Sequence, residues 1–396
     1  MSFGSGRRVL VVMGTRPEAI KLAPVVHEFA QQADVSCRIC FTGQHREMVE
    51  SLFELFGMRA DLDLQVMQHD QSLHELAGRA LTLIGEQLKR LQPDLVVVQG
   101  DTTTAFCATF AAYMQRIPVA HVEAGLRTHN LLSPWPEEGN RQLIGRLAAL
   151  HLSPTETAKQ NLLAEGVAED RIAVTGNTVV DALLWTAKRE RLSHCHAEGL
   201  PDDWRERWAD RRIVLITGHR RENFGEGLAN VWRGLVQLAR QFPQDQFVFP
   251  VHLNPNVRAS VDAIIGPVVS ELGNFHLIEP LAYEPFVALL SRAHLVISDS
   301  GGIQEEAPSL GKPVLVTRNN TERGEAIAAG TARLVGTDTA ELVAQASALL
   351  GGGAAYERMV KARNPFGDGA AAQRTVTACL RFLTKLRPLL PAPFTG

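Results

Sequence analysis

The feature that most limits how this chain can fold is a series of short apolar runs separated by longer segments of helical period. Five of these runs are rich in Val, Ile and Leu, which is typical of strands buried on both faces of a parallel sheet. They span residues 9–13, 37–41, 95–98, 119–122 and 149–152. The segments of helical period between them span residues 19–30, 73–91 and 104–115. This alternation predicts βαβ units and a doubly wound α/β sheet.

The same pattern starts again after a polar, Trp-containing stretch at residues 190–212. New apolar runs of strand length follow at residues 213–217, 247–251, 295–298 and 314–316. Helical segments lie between and after them, at residues 225–241, 338–350 and 370–386. We therefore predict two Rossmann-like halves that join near residue 185 and face each other across a cleft, where a ligand is expected.

The composition restricts the class of protein. Of 396 residues, 45% are apolar and 21% are charged, which excludes general intrinsic disorder. The 40 basic and 43 acidic side chains argue against a nucleic-acid partner, because neutralising phosphates needs a basic surplus. No apolar run reaches the roughly 18 residues of a membrane span, so no membrane contact is expected. The 5 scattered cysteines do not form a disulfide framework and favour the reducing cytoplasm.

Polar motifs directly follow five of the predicted strands. Each motif combines glycine with charged or hydroxyl side chains, at positions 14–18, 99–104, 123–127, 217–222 and 298–306. In parallel sheets, ligands bind beyond the carboxyl ends of the strands. A single residue such as Asp101 or Ser300 can be no more than a helix cap, since Asp and Ser are favoured there. Five such motifs on the edge that binds ligands favour a functional site instead.

Ser300-Gly301-Gly302 is the clearest candidate for phosphate binding. Glycine lets the backbone approach an anion, and the helix that follows offers unpaired N–H groups and the positive end of its dipole. The chain has no G-x-x-x-x-G-K-[ST] motif and no strand followed by G-x-G-x-x-G, which argues against a dinucleotide cofactor. Glu305 and Glu306 either accept hydrogen bonds from a ribose or form a solvated acidic first turn. The arrangement favours a sugar nucleotide as the ligand.

Cations, histidines and carboxylates that can complete this site also lie at strand or helix ends. The cations available for a diphosphate, each of which can equally be a surface charge, are Arg16, Lys21, Arg220, Arg221 and Arg323. His219 and His252 follow strands of the second half. Glu137 and Glu138 open a helix, either as a cap or as an acid–base pair. Cys37 and Cys40 form a C-x-x-C, but they lie in a strand-like run that points them to opposite faces. Because no other metal-ligand spacing occurs, we predict neither a metal nor another cofactor.

Six segments of the chain resemble motifs of the non-hydrolysing UDP-N-acetylglucosamine 2-epimerases, in that family's order and over nearly the whole chain. They are the five polar motifs and the segment around Glu137 and Glu138. They span residues 14–18, 100–104, 121–127, 136–138, 218–223 and 299–306. The resemblance implies a GT-B-like fold whose last helix crosses back to the first domain. It implies an N-terminal Rossmann-like domain of residues 1–184, completed by residues 370–396, and a C-terminal UDP-binding domain of residues 185–369. It also implies a homodimer that interconverts UDP-GlcNAc and UDP-ManNAc.

The resemblance further implies roles for individual residues. The family's catalytic groups fall on Asp101, Glu123, Glu137 and His219. Its UDP-binding groups fall on Arg16, Lys21, Ser300, Gly301, Glu306 and Arg323, with Phe286 near the uracil. We assign Gly302 and His252 to the same site from their positions at strand ends. Bacterial members bind a second UDP-GlcNAc as an activator, and that site resembles Gln44, His45, Gln71, Glu138 and Arg220.

Two departures from the family pattern concern loops. Gln68-His69-Asp70 replaces the Pro-Gly expected before Gln71, which bears on the activator site rather than on catalysis. Gly324 replaces the proline that is common after Glu322-Arg323 and is expected to loosen that loop.

The chemistry of the implied reaction predicts its course. The C2 hydrogen of the sugar is not next to a carbonyl, and general base catalysis contributes only about 10²–10⁴-fold. Departure of UDP acidifies C2, so we expect elimination to 2-acetamidoglucal and re-addition with a proton delivered to the opposite face. Inversion then needs at least two of the three carboxylates, Asp101, Glu123 and Glu137. The alternatives left open are a GT-B glycosyltransferase, a hydrolysing epimerase, a catalytically inactive sugar-nucleotide sensor, and an epimerase of related UDP-sugar uronates.

Overall fold

The computed structural model describes residues 6–44, 46–68, 70–189, 192 and 196–386. The chain divides into two compact units: unit 1, Met1–Ala182 with Phe366–Gly396, and unit 2, Leu183–Pro365. Within the described residues, each unit contains a sheet of parallel strands with helices between successive strands. The predicted α/β class with two parallel sheets is therefore confirmed. No helix of the described segments is long and apolar enough to cross a membrane.

Unit 1 is built on a seven-stranded sheet with the order β3-β2-β1-β4-β5-β6-β7. Its strands are β1 (Arg7–Met13), β2 (Val35–Phe41), β3 (Leu62–Asp63), β4 (Leu95–Gln99), β5 (Val119–Val122), β6 (Leu150–Ser153) and β7 (Ile172–Val174). Its helices before the chain enters unit 2 are α1 (Arg16–Ala30), α2 (Arg46–Leu55), α3 (Leu73–Leu91), α4 (Thr103–Met114), α5 (Glu137–Leu147) and α6 (Glu156–Ala164). The next helix, α7 (Thr178–Ala187), begins in unit 1 and continues into unit 2 after Ala182.

Unit 2 has a six-stranded sheet with the order β10-β9-β8-β11-β12-β13. Its strands are β8 (Ile213–Thr217), β9 (Gln246–Pro250), β10 (Phe275–Ile278), β11 (Ala293–Ser298), β12 (Val314–Val316) and β13 (Ala332–Leu334). Its helices are α8 (Trp204–Arg207), α9 (Glu226–Gln241), α10 (Pro255–Ile264), α11 (Gly266–Val269), α12 (Tyr283–Arg292), α13 (Gly301–Glu306), α14 (Gly324–Ala328), α15 (Thr339–Leu350) and α16 (Ala354–Lys361).

The strands predicted from apolar runs are the inner strands of both sheets. All five residues of β4 are buried, as are the last five of β1, because helices cover both faces of the sheet. The strands that sequence analysis missed, β3, β7, β10 and β13, are the outermost strands, of two to four residues. An edge strand is bonded on one side only and partly exposed, so it does not need a continuous apolar run.

The strand order reverses once in each sheet, and this reversal positions the polar motifs. In unit 1 the chain passes from β1 outward to β3 and then returns to β4 on the other side of β1. In unit 2 it passes from β8 outward to β10 and returns to β11. The loops that leave β1 and β4, and those that leave β8 and β11, therefore lie at the strand-order reversal, where sheets of this kind are expected to bind ligands.

The last helix, α17 (Ala371–Leu386), belongs to unit 1, as predicted. It packs against α1, and its first turn is fixed by a side chain from α7. The buried Asp181 carboxylate accepts hydrogen bonds from the backbone N–H groups of Ala371 (3.2 Å) and Ala372 (2.8 Å). This contact satisfies two of the N–H groups that a helix leaves unpaired at its start.

Gly125, in the turn after β5, provides a test of this packing. Its φ is +92°, and a Cβ there would lie 2.2 Å from the carbonyl oxygen of Ala158 in α6. Gly166 has a φ of +83° and no atom within 4 Å of the same position, so it isolates the conformational effect. We expect Gly166→Ala to destabilise the protein by about 1 kcal/mol and Gly125→Ala by at least about 3 kcal/mol.

Scanning calorimetry measures this difference as a lower melting temperature. At about 2–4 °C per kcal/mol for a unit of this size, Gly125→Ala should melt several degrees below Gly166→Ala. Equal melting temperatures for the two variants would contradict the close approach of α6 to this turn.

Candidate active site

The turn after β5 holds the most constrained predicted catalytic residue, Glu123. Its backbone has a φ of +65°, which is uncommon for a residue with a side chain. The largely buried carboxylate pairs with the ammonium of Lys21 from α1. The same oxygen, Oε2, accepts a hydrogen bond of 2.5 Å from the Gln99 amide at the end of β4. Lys21, predicted to contact UDP, therefore also fixes a carboxylate predicted to be catalytic.

Asp101 lies at the end of β4 and is held through both its backbone and its side chain. Arg141 Nε donates to Asp101 Oδ2 (2.7 Å), and the Asn140 amide donates to the Asp101 carbonyl (2.8 Å). One residue earlier, the Gly100 carbonyl accepts a hydrogen bond of 2.7 Å from Nε2 of the buried His121. The position of Asp101 is thus set by α5 and β5, in addition to its own strand.

Glu137 and Glu138 open α5, but their surroundings differ. The Glu138 carboxylate is buried and accepts hydrogen bonds from the N–H groups of Thr128 and His129 and from the side chains of Arg141 and Gln142. Burial alone would raise the pKa of Glu138, but these hydrogen bonds and the Arg141 charge lower it. Glu137 Oε2 is buried with no hydrogen-bond partner among the described residues.

The two glutamates therefore differ in how many hydrogen bonds their carboxylates already accept. The Glu138 carboxylate holds the loop before α5 in place. It already accepts hydrogen bonds from four residues, so an activator that contacts it would bind alongside these donors. Glu137 has a carboxylate oxygen that is shielded from solvent and still available, which suits acid–base work.

Glu18 lies in the first polar motif, at residues 14–18, but the sequence predicts no role for it. Its carboxylate is fully buried and accepts hydrogen bonds from the N–H groups of Gly14 and Thr15 and from the Thr15 hydroxyl. The other oxygen accepts a hydrogen bond of 2.6 Å from the Thr102 hydroxyl in the loop after β4. Burial raises the pKa of Glu18 against the effect of these bonds. The spacing Thr15-x-x-Glu18, typical of a capping box, was the signal in the sequence.

The remaining predicted residues of unit 1 lie in its loops and at helix starts. Arg16 is the first residue of α1 and is half-buried. Gln44 accepts a hydrogen bond of 3.1 Å from the Thr104 hydroxyl at the start of α4. The Gln71 amide contacts the sulfur of Met67 at 3.1 Å. His45 lies outside the described residues.

In unit 2, the loop after β8 is held by the carboxylate of Asp299, which follows β11. Asp299 Oδ2 accepts hydrogen bonds of 2.8 Å from the backbone N–H groups of both His219 and Arg220. His219 Nδ1 lies 3.3 Å from Asp299 Oδ1, and the His219 ring stacks on His252 with centroids 5.1 Å apart. Burial lowers the pKa of His219. The charge of Asp299 opposes this shift, and the charges of His252 and Arg220 add to it. Asp299 lies in the polar motif at residues 298–306, but the sequence predicts no role for it.

Two guanidinium groups meet at the first residue of α13. A Cβ on Gly301 would lie 3.6 Å from Arg220 Nη2 and 3.6 Å from Arg323 Cζ. Arg323 Nε in turn donates to Glu305 Oε1 (2.5 Å), so Glu305 is a buried counter-ion and not an exposed ribose ligand. Arg220, predicted for the activator site, therefore lies beside the glycine predicted to approach a phosphate.

The other predicted residues of unit 2 lie around this point or on a neighbouring helix. Ser300 is the N-cap of α13, and its side chain makes no capping hydrogen bond. Gly302 is exposed, with the half-buried Glu306 carboxylate 3.7 Å from its Cβ position. Phe286 is half-buried on α12.

Comparison with known proteins identifies the family. A family model described as UDP-N-acetylglucosamine 2-epimerase matches residues 27–380. The chain belongs to this family. It is 53% identical to the probable UDP-N-acetylglucosamine 2-epimerase of Ralstonia solanacearum over 84% of this chain and 87% of that protein. It is 52% identical to the UDP-N-acetylglucosamine 2-epimerase of Escherichia coli strain K12, with the same coverage of both chains.

A solved structure of the family agrees with both the fold and the ligand class. The crystal structure of the Neisseria meningitidis UDP-GlcNAc 2-epimerase bound to UDP-GlcNAc has a TM-score of 0.84 and 45% identity. The match covers 94% of this chain and 100% of that one. The resemblance found in the sequence motifs is therefore confirmed at the level of the family.

Unit 2 of this epimerase-family chain contains a further charge network that the sequence did not predict. Arg318, after β12, has a side chain only 5% exposed. It donates to both oxygens of Glu222 (2.5 and 3.3 Å) and both oxygens of Glu322 (2.7 and 3.2 Å). Burial alone would raise the pKa of Glu322, but the hydrogen bond and the charge of Arg318 outweigh this effect. The pKa of Glu322 is therefore lowered to about 2. Arg318 thus joins the loop of His219 to that of Arg323.

Removing Arg318 should destabilise unit 2. In Arg318→Met, the Glu222 and Glu322 carboxylates lose the cation between them, and we expect a loss of about 2–3 kcal/mol, moderated by the partial exposure of Glu222. The matched control is Arg233→Met, because the Arg233–Glu226 pair is 51% and 75% exposed and should contribute less than about 1 kcal/mol. Urea unfolding measures both, and equal losses would contradict a structural role for Arg318.

The buried histidines of unit 1 predict how its stability depends on pH. Burial lowers the pKa of His121 to about 3 and that of its neighbour His151, its register partner on β6, to about 4. In the unfolded chain a histidine has a pKa near 6.5. Between these values the unfolded state binds more protons, so the stability that these groups contribute is complete above pH 6.5 and decreases as the pH falls.

His121→Gln tests this dependence, because glutamine cannot take up the proton and its amide can still donate to the Gly100 carbonyl. At pH 5 we expect the wild type to have lost about 2 kcal/mol relative to pH 7.5 through His121 alone, a loss that His121→Gln avoids. His74→Gln, at an exposed position on α3, is the control. Parallel stability–pH curves for wild type and His121→Gln would contradict the prediction.

Proposed function

We propose that this chain interconverts UDP-GlcNAc and UDP-ManNAc by inverting C2 of the sugar, without releasing free sugar. The observation that carries the proposal is the carboxylate set at the carboxyl edge of the unit 1 sheet, Asp101, Glu123 and Glu137. Inversion at C2 requires proton transfer on both faces of the sugar, and this edge supplies more than one fixed carboxylate. Family membership supports the choice of substrate.

The nucleotide is assigned to unit 2 in this proposal. The Arg220 and Arg323 guanidinium groups beside Gly301 suit a diphosphate, because their donors form rigid forks that match phosphate oxygens. Glu306 is assigned to the ribose and Phe286 to the uracil, with His252, Ser300 and Gly302 lining the same site. Arg16 and Lys21 of unit 1 complete the substrate-binding set. In this proposal, proton transfer belongs to the domain of residues 1–184 with 370–396. Nucleotide binding belongs mainly to the domain of residues 185–369.

The proposed reaction begins with cleavage of the bond between the sugar and UDP, which places negative charge on the diphosphate. The C1–O bond to UDP breaks, its electrons go to the diphosphate, and the cations of the nucleotide site stabilise that charge. A carboxylate removes the C2 proton, which gives 2-acetamidoglucal and UDP. Re-addition of UDP at C1 and of a proton to the opposite face of C2 gives the epimer. His219, whose burial disfavours the charged form, is assigned to the diphosphate as a hydrogen-bond donor.

Regulation and assembly follow the family in this proposal. We assign a second UDP-GlcNAc, as activator, to Gln44, His45, Gln71, Glu138 and Arg220. Arg220 lies beside Gly301, the glycine assigned to the diphosphate, so this one residue belongs to both sets in the proposal. We also propose that the chain acts as a homodimer in the cytoplasm, where its described cysteines, all free thiols, remain reduced.

Incubation with UDP-GlcNAc in D₂O tests the reaction by proton NMR. We expect deuterium at C2 of both UDP-sugar epimers, because C2 passes through a trigonal state that takes up solvent deuterium. Product without deuterium would contradict elimination, free ManNAc would indicate a hydrolysing epimerase, and transfer only to an acceptor would indicate a glycosyltransferase.

Glu123→Gln tests the carboxylate in the same assay. We expect kcat to fall by about 10²-fold or more if Glu123 transfers a proton. Glu156→Gln is the control, because Glu156 is an exposed carboxylate at the start of α6 in the same unit. Turnover of Glu123→Gln near that of the control would move the role to another carboxylate.

A further inference from the structure

Arg141 has no assigned role, although it is the charged side chain that holds Asp101. It lies on α5, its side chain is 16% exposed, and its Nε donates to Asp101 Oδ2 at 2.7 Å. Its Nη1 donates to Glu138 Oε2 at 3.2 Å. Two different edges of one planar guanidinium therefore contact two carboxylates, which a lysine ammonium at the end of a flexible chain cannot reproduce.

The same helix also holds the backbone of Asp101. Asn140, the residue before Arg141, donates to the Asp101 carbonyl. The carboxylate is 24% exposed and reaches a position from which a ligand can contact it. Because both contacts come from adjacent residues of α5, a shift of this helix moves the backbone and the side chain of Asp101 together.

Glu138 in turn fixes Arg141. The Glu138 carboxylate has no solvent-exposed surface, and its hydrogen bonds from Thr128 and His129 connect it to the loop between β5 and α5. The chain of contacts thus runs from this loop through Glu138 and Arg141 to Asp101. The charge of Arg141 does not vary at any pH where the protein is folded, so the last contact persists across the working range.

We propose that Arg141 is the positioning residue of the catalytic site in unit 1: it fixes the orientation of the Asp101 carboxylate and connects it to the Glu138 loop. The inference rests on the proposed epimerase function, in which Asp101 contacts the sugar. Arg141 acts on the reaction through Asp101 and does not itself contact the substrate. Misplacement of a catalytic group by about 1 Å can lower a rate about 10²-fold, so loss of this contact should reduce kcat.

Arg141→Lys and Arg141→Gln test this role by steady-state epimerisation of UDP-GlcNAc. We expect kcat to fall about 10-fold in Arg141→Lys, which keeps the charge without the fork, and about 10²-fold in Arg141→Gln. KM should change less than about threefold, since uniform binding is unaffected. The matched controls are Arg146→Lys and Arg146→Gln, on the exposed side of the same helix, where wild-type constants are expected.

A double-mutant cycle distinguishes positioning of Asp101 from a general structural effect. In an Asp101→Asn background, adding Arg141→Gln should lower kcat by less than about threefold, because the group that Arg141 positions is already disabled. A further loss of about 10²-fold in that background would show that Arg141 acts on another group and would overturn the proposal. Scanning calorimetry of thermal unfolding reports whether the variants fold. A wild-type kcat in Arg141→Lys would by itself overturn the proposal.

The outcomes for Arg141 and for the proposed function are separable. A wild-type protein that does not epimerise UDP-GlcNAc contradicts the proposed function. A wild-type protein that does, together with Arg141 variants of equal kcat, contradicts the positioning role alone.

Discussion

A buried carboxylate that joins the two loops at the strand-order reversal is the interaction on which each unit depends. In unit 1, Glu18 from the β1 side accepts a hydrogen bond from Thr102 on the β4 side. In unit 2, Asp299 from the β11 side accepts the N–H groups of His219 and Arg220 on the β8 side. Parallel strands leave a crevice at this place, and a buried charge is stable there only when several donors satisfy it. These donors hold fixed the two edges that carry the predicted site residues.

The charges of the chain are segregated in a way that the formal net charge of −3 does not show. In unit 1 the predicted catalytic carboxylates Asp101 and Glu123 each have a cation in contact, Arg141 and Lys21. In unit 2 the guanidinium groups of Arg220 and Arg323 converge on a glycine at a helix start. The first arrangement holds two carboxylates in place, as the proposed proton transfer requires, and the second suits the proposed binding of an anionic ligand.

The sequence predicted the inner strands and the positions of the polar motifs, because burial on both faces imposes continuous apolar runs and because ligands bind at strand ends. It did not predict the edge strands, which need no such run. Nor did it predict which charged side chains form ion pairs. Lys21 and Glu123 are 102 positions apart in the sequence, and Arg318 and Glu222 are 96 positions apart. Such partners follow from the folded sheet order. Glu18 is an exception only for its contacts with Thr15, which the local spacing predicts; its hydrogen bond from Thr102, 84 positions away, also follows from the sheet order.

The backbone of Glu123 shows how the fold fixes a functional side chain at the expense of local strain. The chain is pinned on both sides of this residue, by the hydrogen bond from the Gly100 N–H to the Val122 carbonyl and by that from the Ala124 N–H to the Leu152 carbonyl. Between these points it adopts a φ of +65°, which glycine would tolerate without the roughly 1–3 kcal/mol that another residue loses. A glutamate at this position is therefore explained by its carboxylate and not by its backbone. The ion pair with Lys21 and the hydrogen bond from Gln99 offset the strain and hold that carboxylate in one direction.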